Sequence, residues 1–298
     1  MKLICYISYG AGDSYDLFTI LPDFIEKRKV NSVKFYVDSI YFLSNNFSSQ
    51  RTATIKMINT ITDDYEIVPE EFSSHQQLYY GKEDRTLGPQ YDKIKNTFLF
   101  YRKPETISYI KDKLKECDLF LYSVMGINFT YEWKDNTNIS LLEYSRKPLS
   151  LSVSNENRNR VSNLLKEYNV LLQVRKKGIS ETDKYFKNLY SILIDRGFKV
   201  LCINLDNVDI PNAEDFSYLS FESVMYLTEK IKYMICSSSV LGCHRIHFNK
   251  KTIINTPYRN GSNEVIFTDY IDNPNYLFLN SEIDNTEIIK KEIDTWNY

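Results

Sequence analysis

Ser154-Asn155-Glu156-Asn157-Arg158-Asn159-Arg160, the most polar stretch in the middle of the chain, gives way to Val170-Leu171-Leu172-Gln173-Val174 and then to Arg175-Lys176-Lys177-Gly178. A polar break followed by a short apolar run reads as a linker and the first strand of a new unit. Upstream, the same alternation has already run its course. Strand-like segments are expected at Leu3–Ser8, Val33–Val37, Tyr65–Val68, Thr97–Arg102, Asp118–Ser123 and Pro148–Val153. Helical spacing is expected over Ser14–Arg28, within Asp38–Thr60 and over Pro104–Cys117. Ser14 is the expected cap of the first helix, and Pro22 should kink or split it. Ser73–Asn96 reads as a long loop. Downstream, strands are expected at Val170–Val174, Phe198–Ile203, Tyr233–Cys236, Thr252–Ile254 and Tyr276–Leu279. Helices are expected at Glu181–Arg196, closed by Gly197, and at Ser220–Lys230, Val240–Asn249 and Glu282–Trp296.

Two successive β-α arrays predict an α/β protein of two Rossmann-like domains with parallel sheets. The expected boundaries are residues 1–154, 155–281 and a terminal helix over 282–298. A single large sheet is the alternative. In such sheets ligands bind beyond the carboxyl ends of the strands, so the cleft between two domains is the expected site.

Composition narrows the class. The 298 residues are 43% hydrophobic and 26% charged, a globular balance. Glycine is scarce, at 9 residues, while Tyr reaches 24, a bias typical of AT-rich coding as in many phages and low-GC bacteria. No apolar run approaches the ~18 residues of a membrane helix. The start, Met1–Tyr6, is too short for a signal h-region. Five cysteines without CxxC pairing argue against a disulfide framework or a zinc site, so a cytoplasmic location is expected. A net charge of -2 gives no global polycation.

Three segments could carry chemistry. Gly10-Ala11-Gly12-Asp13 follows the first strand; Gly10 and Gly12 allow close ligand approach, and Asp13 is a candidate general base or a helix cap. Arg175, Lys177 and, further on, Lys184 are cations at the end of the strand that opens the second half. They suit a diphosphate, or they form a solvated charge run. Cys236-Ser237-Ser238-Ser239-Val240-Leu241-Gly242-Cys243-His244-Arg245 spans a strand-to-helix junction. Its hydroxyls and amides suit an anion, with Ser237, Ser238, Ser239, Gly242 and His244 as candidate contacts; serine capping and a satisfied core histidine are the alternative. His75 lacks a visible partner, and His247 shares a helical spacing with His244, but no carboxylate sits at ligand spacing and no metal is expected. Most tyrosines, among them Tyr79, Tyr80, Tyr91, Tyr101 and Tyr109, read as packing or as a stacking surface.

In this order the three segments resemble a GT-B glycosyltransferase, most nearly the heptosyltransferase-like family. Gly12-Asp13 resembles that family's G-D loop, Lys184-Tyr185-Phe186 its phosphate-binding lysine and aromatic, and Ser239–His244 stands where it has D-T-G-x-x-H. Ser239, Val240 and Leu241 replace the Asp, Thr and first Gly, with Gly242 one step later. The resemblance implies a central cleft between the two sheets and a terminal helix crossing back onto the first domain. It also implies a nucleotide-sugar co-substrate with no other cofactor, and inverting, metal-independent transfer with Asp13 as base. Topology adds Asn204, Asp206 and Glu222 as possible nucleoside contacts.

Two acceptors remain open: a glycan or lipid precursor, and hydroxymethylated phage DNA held by Arg102-Lys103, Arg146-Lys147, Arg158 and Arg160. A non-catalytic nucleotide- or sugar-binding module of the same form is the alternative to an enzyme. A pyruvyl- or epimerase-type enzyme also fits the pattern. Oligomeric state is not legible.

Overall fold

The computed structural model describes residues 1–7, 11–38, 48–72, 104–124, 127–132, 137–175, 182–237, 239–256, 270, 272–280 and 285–296. The expected strand at 97–102 and the expected loop at 73–96 lie outside them, as do His75, Tyr79, Tyr80, Tyr91 and Tyr101. The chain divides into two compact units, Met1–Leu149 and Ser150–Tyr298. Among the described residues no helix is long and apolar enough to cross a membrane.

The first unit is built on β1 (Lys2–Ile7), β2 (Ser32–Asp38), β3 (Tyr65–Val68), β4 (Leu119–Val124), β5 (Ile127–Glu132) and β6 (Thr137–Asn138), in the order β3-β2-β1-β4-β5-β6. Four of these strands run parallel, while β5 and β6 return antiparallel from β4. That hairpin is unanticipated, although Ile127-Asn128-Phe129-Thr130-Tyr131-Glu132 has the period-two alternation of a half-buried strand. Helix α1 (Ala11–Lys27) starts earlier than expected, so Gly12 and Asp13 lie in its first turn rather than in a loop, and Ser14 is inside it. It also runs unbroken through Pro22. Residues Ser14 to Leu21 are buried on every side. A helix buried all round needs a second cover besides the sheet, and the strap from Tyr144 to Leu149 supplies it. Ser145 N–H donates to Asp23 (2.8 Å), Lys147 N–H to the Thr19 carbonyl (2.9 Å), and the Arg146 guanidinium to Asp16 (2.8 Å). The expected strand at 148–153 is therefore an irregular strap. Helices α2 (Ser48–Ile58) and α3 (Pro104–Lys113) complete the unit.

The second unit opens with a correction. The polar stretch 154–160 is not a linker but the start of α4 (Asn155–Glu167). Ser154 accepts from Asn157 N–H at 3.2 Å as its N-cap, Glu156 sits in the favourable first turn, and Val161 buries its apolar face. Then come β7 (Val170–Val174), α5 (Thr182–Asp195), β8 (Val200–Asn204), α6 (Phe221–Lys230), β9 (Tyr233–Ser237), α7 (Val240–Arg245), β10 (Thr252–Thr256), β11 (Tyr276–Asn280) and α8 (Thr286–Ile293). The sheet is all parallel, in the order β11-β10-β9-β7-β8. Gly197 ends α5 at φ 77°, with Phe198 N–H reaching back to the Leu193 carbonyl at 3.1 Å. That is the left-handed C-terminal cap for which glycine is suited. The terminal helix was expected on the first domain. Its Ile289, Ile293 and the following Trp296 instead lie in the core of the second unit, with Trp296 stacked on Tyr233 at 4.5 Å and Arg196 bonded to Asp294 at 2.6 Å.

Candidate functional site

In each sheet the chain lays down one strand, adds a neighbour on one side, then crosses to the other. The second unit does this at β7, with β8 on one flank and β9 on the other; the first does it at β1, between β2 and β4. In open parallel sheets such a switch point is where ligands bind, beyond the carboxyl ends of the strands. Three buried polar side chains occupy the ends of adjacent strands at this point: Gln173 on β7, Ser237 on β9 and Asn255 on β10. Ser237 and Asn255 are register partners. Gln173 Oε1 accepts from Ser239 Oγ at 3.0 Å and from Ser237 Oγ at 3.4 Å. Asn255 Oδ1 accepts from the hydroxyl of Tyr185, on the first turns of α5, at 3.0 Å.

Ser237 and Ser239 are thus brought together, around a residue that belongs to none of the three segments. Ser239 does not cap α7 with its side chain, because its hydroxyl is turned to Gln173. The signal for Gln173 was present: one polar residue in an otherwise apolar central strand must find partners. Gly242 packs α7 close to this corner. A Cβ at Gly242 would stand 3.0 Å from the Ser237 carbonyl oxygen and 3.4 Å from Cys236 Sγ. Alanine normally gains about 1 kcal/mol over glycine inside a helix. Here the clash is with strand backbone that cannot swing away, and overpacking costs about 1–3 kcal/mol. Gly242→Ala is therefore expected to lose about 1 kcal/mol net, read as a lowered urea midpoint; a gain in stability would refute the close-packing account.

His244 is not presented to a ligand. It is fully buried, its Nε2 lies 3.2 Å from Glu229 Oε1 on α6, and its ring meets Phe248 edge-on. Burial pulls its pKa below the ordinary value, outweighing the opposing hydrogen bond from Glu229. The sign is then fixed. The unfolded chain takes up a proton as the pH falls through about 6.5 while the folded chain does not, so acid destabilises. Melting temperature should fall below that pH, and the slope should flatten in His244→Gln; parallel slopes would contradict the buried neutral imidazole. Arg245 also turns inward, away from the strand ends. It is fully buried and donates to Thr252 Oγ1 and to the carbonyls of Thr228, Ile231 and Lys232.

Asn204 closes β8, but its amide braces the next turn, donating to the Val208 carbonyl at 2.7 Å and accepting Val208 N–H at 3.0 Å. Asp206 lies within that turn. Glu222 sits in the first turn of α6, where a carboxylate complements the helix dipole. Arg175 follows β7 directly and is half-buried, and Lys184 is exposed in the first turn of α5. Lys177, Ser238 and Gly10 lie outside the described residues, as does Gly178. In the first unit Asp13 stands in the first turn of α1, directly beyond the β1/β4 switch. Asp38, buried at the end of β2, accepts from Tyr6 Oη at 2.8 Å. The five cysteines are all free and buried, and burial pushes the thiols of Cys202 and Cys236 up to about 12.

The basic residues proposed for a DNA groove do not form one surface within a unit. Arg146 is paired with Asp16 in the first unit, while Arg158 and Arg160, in the second, lie over the rings of Tyr226 and Tyr218. Arg102 and Lys103 lie outside the described residues.

No family model and no curated protein matches the chain. Solved structures do. Methanocaldococcus jannaschii UDP-GlcNAc 2-epimerase, in complex with UDP-GlcNAc and UDP, matches at TM-score 0.53 and 9% identity, over 99% of this chain and 92% of that one. E. coli ADP-heptose LPS heptosyltransferase II matches at TM-score 0.52 and 11% identity, over 99% and 98%. A glycosyl transferase of family 9 from Veillonella parvula matches at TM-score 0.51 and 10% identity, over 100% and 91%. At such identities the likeness is one of fold, and the fold is GT-B.

Proposed function

We propose that this chain is a glycosyltransferase that moves a sugar from a nucleotide-sugar donor to an acceptor hydroxyl. The observation that carries the reading is the polar corner at the β7/β9 switch, where Gln173, Ser237, Ser239 and Asn255 meet next to Arg175 and Lys184. Lys184, in the first turn of α5, adds a second cation to this set. The nucleotide diphosphate would lie on this corner, with Arg175 and Lys184 neutralising it. His244 drops out of the contact set and is a packing residue.

The chemistry is a single displacement. Asp13 takes the proton of the acceptor hydroxyl, the oxygen attacks the anomeric carbon, and the bond from that carbon to the phosphate oxygen breaks. The anomeric centre inverts and the nucleoside diphosphate leaves with its electron pair. Cations and amides stabilise the leaving charge, so the reading needs no metal. A glycan or lipid precursor is the acceptor the reading favours, since Arg146 is engaged by Asp16 and Arg158 and Arg160 by tyrosine rings within their own units. The five buried free thiols support a reducing, cytoplasmic setting.

The test is a thermal-shift panel of UDP, ADP, GDP, CDP and dTDP with their sugars, followed by transfer assays on glycan precursors and on hydroxymethylated DNA. A true donor at about a hundred times its Kd stabilises by about 2.7 kcal/mol, a shift of several degrees. Binding without turnover would make the chain a binding module. Release of an epimerised sugar without an acceptor would make it an epimerase. No shift from any nucleotide would end the reading.

A further inference from the structure

Gln173 is 1% exposed and Asn255 2% exposed, yet each uses only half of its carboxamide. Both oxygens are satisfied, Gln173 by two serine hydroxyls and Asn255 by that of Tyr185. Among the described residues neither amide nitrogen has a hydrogen-bond partner. Neither amide nitrogen is among the fully buried side-chain atoms without a partner, so both keep an opening to solvent. An amide N–H left without a partner in such a setting is unfavourable. Two such groups, held by their oxygens, stand on β7 and β10 on either side of Ser237 of β9, near the carboxyl ends of one sheet.

We propose that Gln173 and Asn255 are the residues that read the ligand of the second unit, their amide nitrogens donating to the oxygens of a nucleoside diphosphate. This rests on the nucleotide-sugar reading above and adds to it a pair of uncharged donors that the cationic motifs do not contain. The serines and Tyr185 are then positioning residues. They hold each amide by its oxygen, which fixes the direction of its two N–H bonds before the ligand arrives and lowers the ordering cost of binding. Arg175 and Lys184 supply charge, whereas the amides supply direction.

Gln173→Glu and Asn255→Asp are the informative variants. Each keeps the oxygen that accepts from the neighbouring hydroxyl and replaces the donating NH2 by an anionic oxygen. Calorimetry with the nucleoside diphosphate that most stabilises the wild-type chain should show binding weakened about 100-fold in each, the loss of a donor to a charged group together with a new repulsion. Affinity for the corresponding nucleoside, which lacks phosphate, should change less than about threefold. Gln173→Met, which removes the donor without adding charge, should weaken diphosphate binding about tenfold and covers the case in which a buried carboxylate prevents folding. Diphosphate binding equal to wild type in these variants overturns the inference alone. Equal losses for nucleoside and diphosphate also overturn it, since they mark a purely structural role. Absence of diphosphate binding in the wild type overturns both the inference and the reading on which it stands.

Discussion

Arg245→Leu is expected to lower the stability of the second unit by about 3–5 kcal/mol, the largest loss from any single core substitution considered for this chain. The side chain is fully buried. Its Nη1 donates to the Thr228 carbonyl at 2.6 Å and the Ile231 carbonyl at 2.9 Å, its Nη2 to the Lys232 carbonyl at 3.1 Å, and its Nε to Thr252 Oγ1 at 3.0 Å. Those carbonyls belong to the C-terminal end of α6 and the residues after it, where a helix leaves acceptors without donors and its dipole is negative. The guanidinium is therefore a cap supplied from α7. Among the described residues it makes no ion pair, so the dipole and the carbonyls are what hold the charge. Burial pulls its pKa down to about 10, which leaves it protonated at neutral pH. Leucine would relieve the desolvation of a charge but would strand the two buried carbonyls of Thr228 and Ile231 at about 1–3 kcal/mol each, besides the part-buried one of Lys232, and the second effect is larger. Arg245→Lys keeps the charge and loses the planar fork, so it should recover only part of the loss. Urea denaturation followed by circular dichroism measures both. A loss under about 1 kcal/mol in the leucine variant would show that water or backbone movement replaces the cap.

The parallel sheets were legible in the sequence because buried parallel strands are short apolar runs. Val170–Val174 and Tyr65–Val68 were placed to the residue, and β8, β9 and β10 within about two residues of their ends. What was misread has physical causes. The stretch 154–160 is polar because it is an exposed helical turn with its own cap, and polarity alone does not separate such a turn from a linker. Pro22 was given too much weight, because burial and the strap bonds on either side of it hold α1 together against the loss of one helix hydrogen bond. The terminal helix was assigned by analogy, while its Ile289 and Ile293 spacing identified a buried face without saying whose core it enters. The site was half legible. Serines and glycine at a strand-helix junction are visible as a pattern, and the two serines do converge. Gln173 and Asn255 belong to no motif. They become visible only when three strands are laid side by side and their ends compared. His244 shows the opposite failure, a motif residue whose neighbours in space, Glu229 and Phe248, give it a packing role.

Asp13→Asn is expected to reduce sugar transfer by about 10²–10⁴-fold, the range contributed by a positioned general base, while leaving nucleotide binding within about twofold. The separation of effects follows from topology. Asp13 belongs to the first unit, at the β1/β4 switch, whereas the groups proposed for the nucleotide all belong to the second. Asparagine keeps the shape of the side chain and a hydrogen-bonding oxygen but cannot accept the acceptor's proton, so the loss should fall on kcat rather than on KM for the donor. Asp13→Glu retains a base displaced by one methylene and should lie between the two, because a misplacement of about 1 Å can itself cost about 10²-fold. The variant also loses a carboxylate from the first turn of α1, but that interaction amounts to only about 0.3–1 kcal/mol of stability and cannot imitate a catalytic loss of this size. Transfer rates across pH give a second readout. Wild-type turnover should fall in acid as the carboxylate is protonated, and the asparagine variant should lack that limb. Transfer within threefold of wild type in Asp13→Asn, with the acid limb intact, would remove Asp13 from the mechanism and place the base elsewhere on the chain.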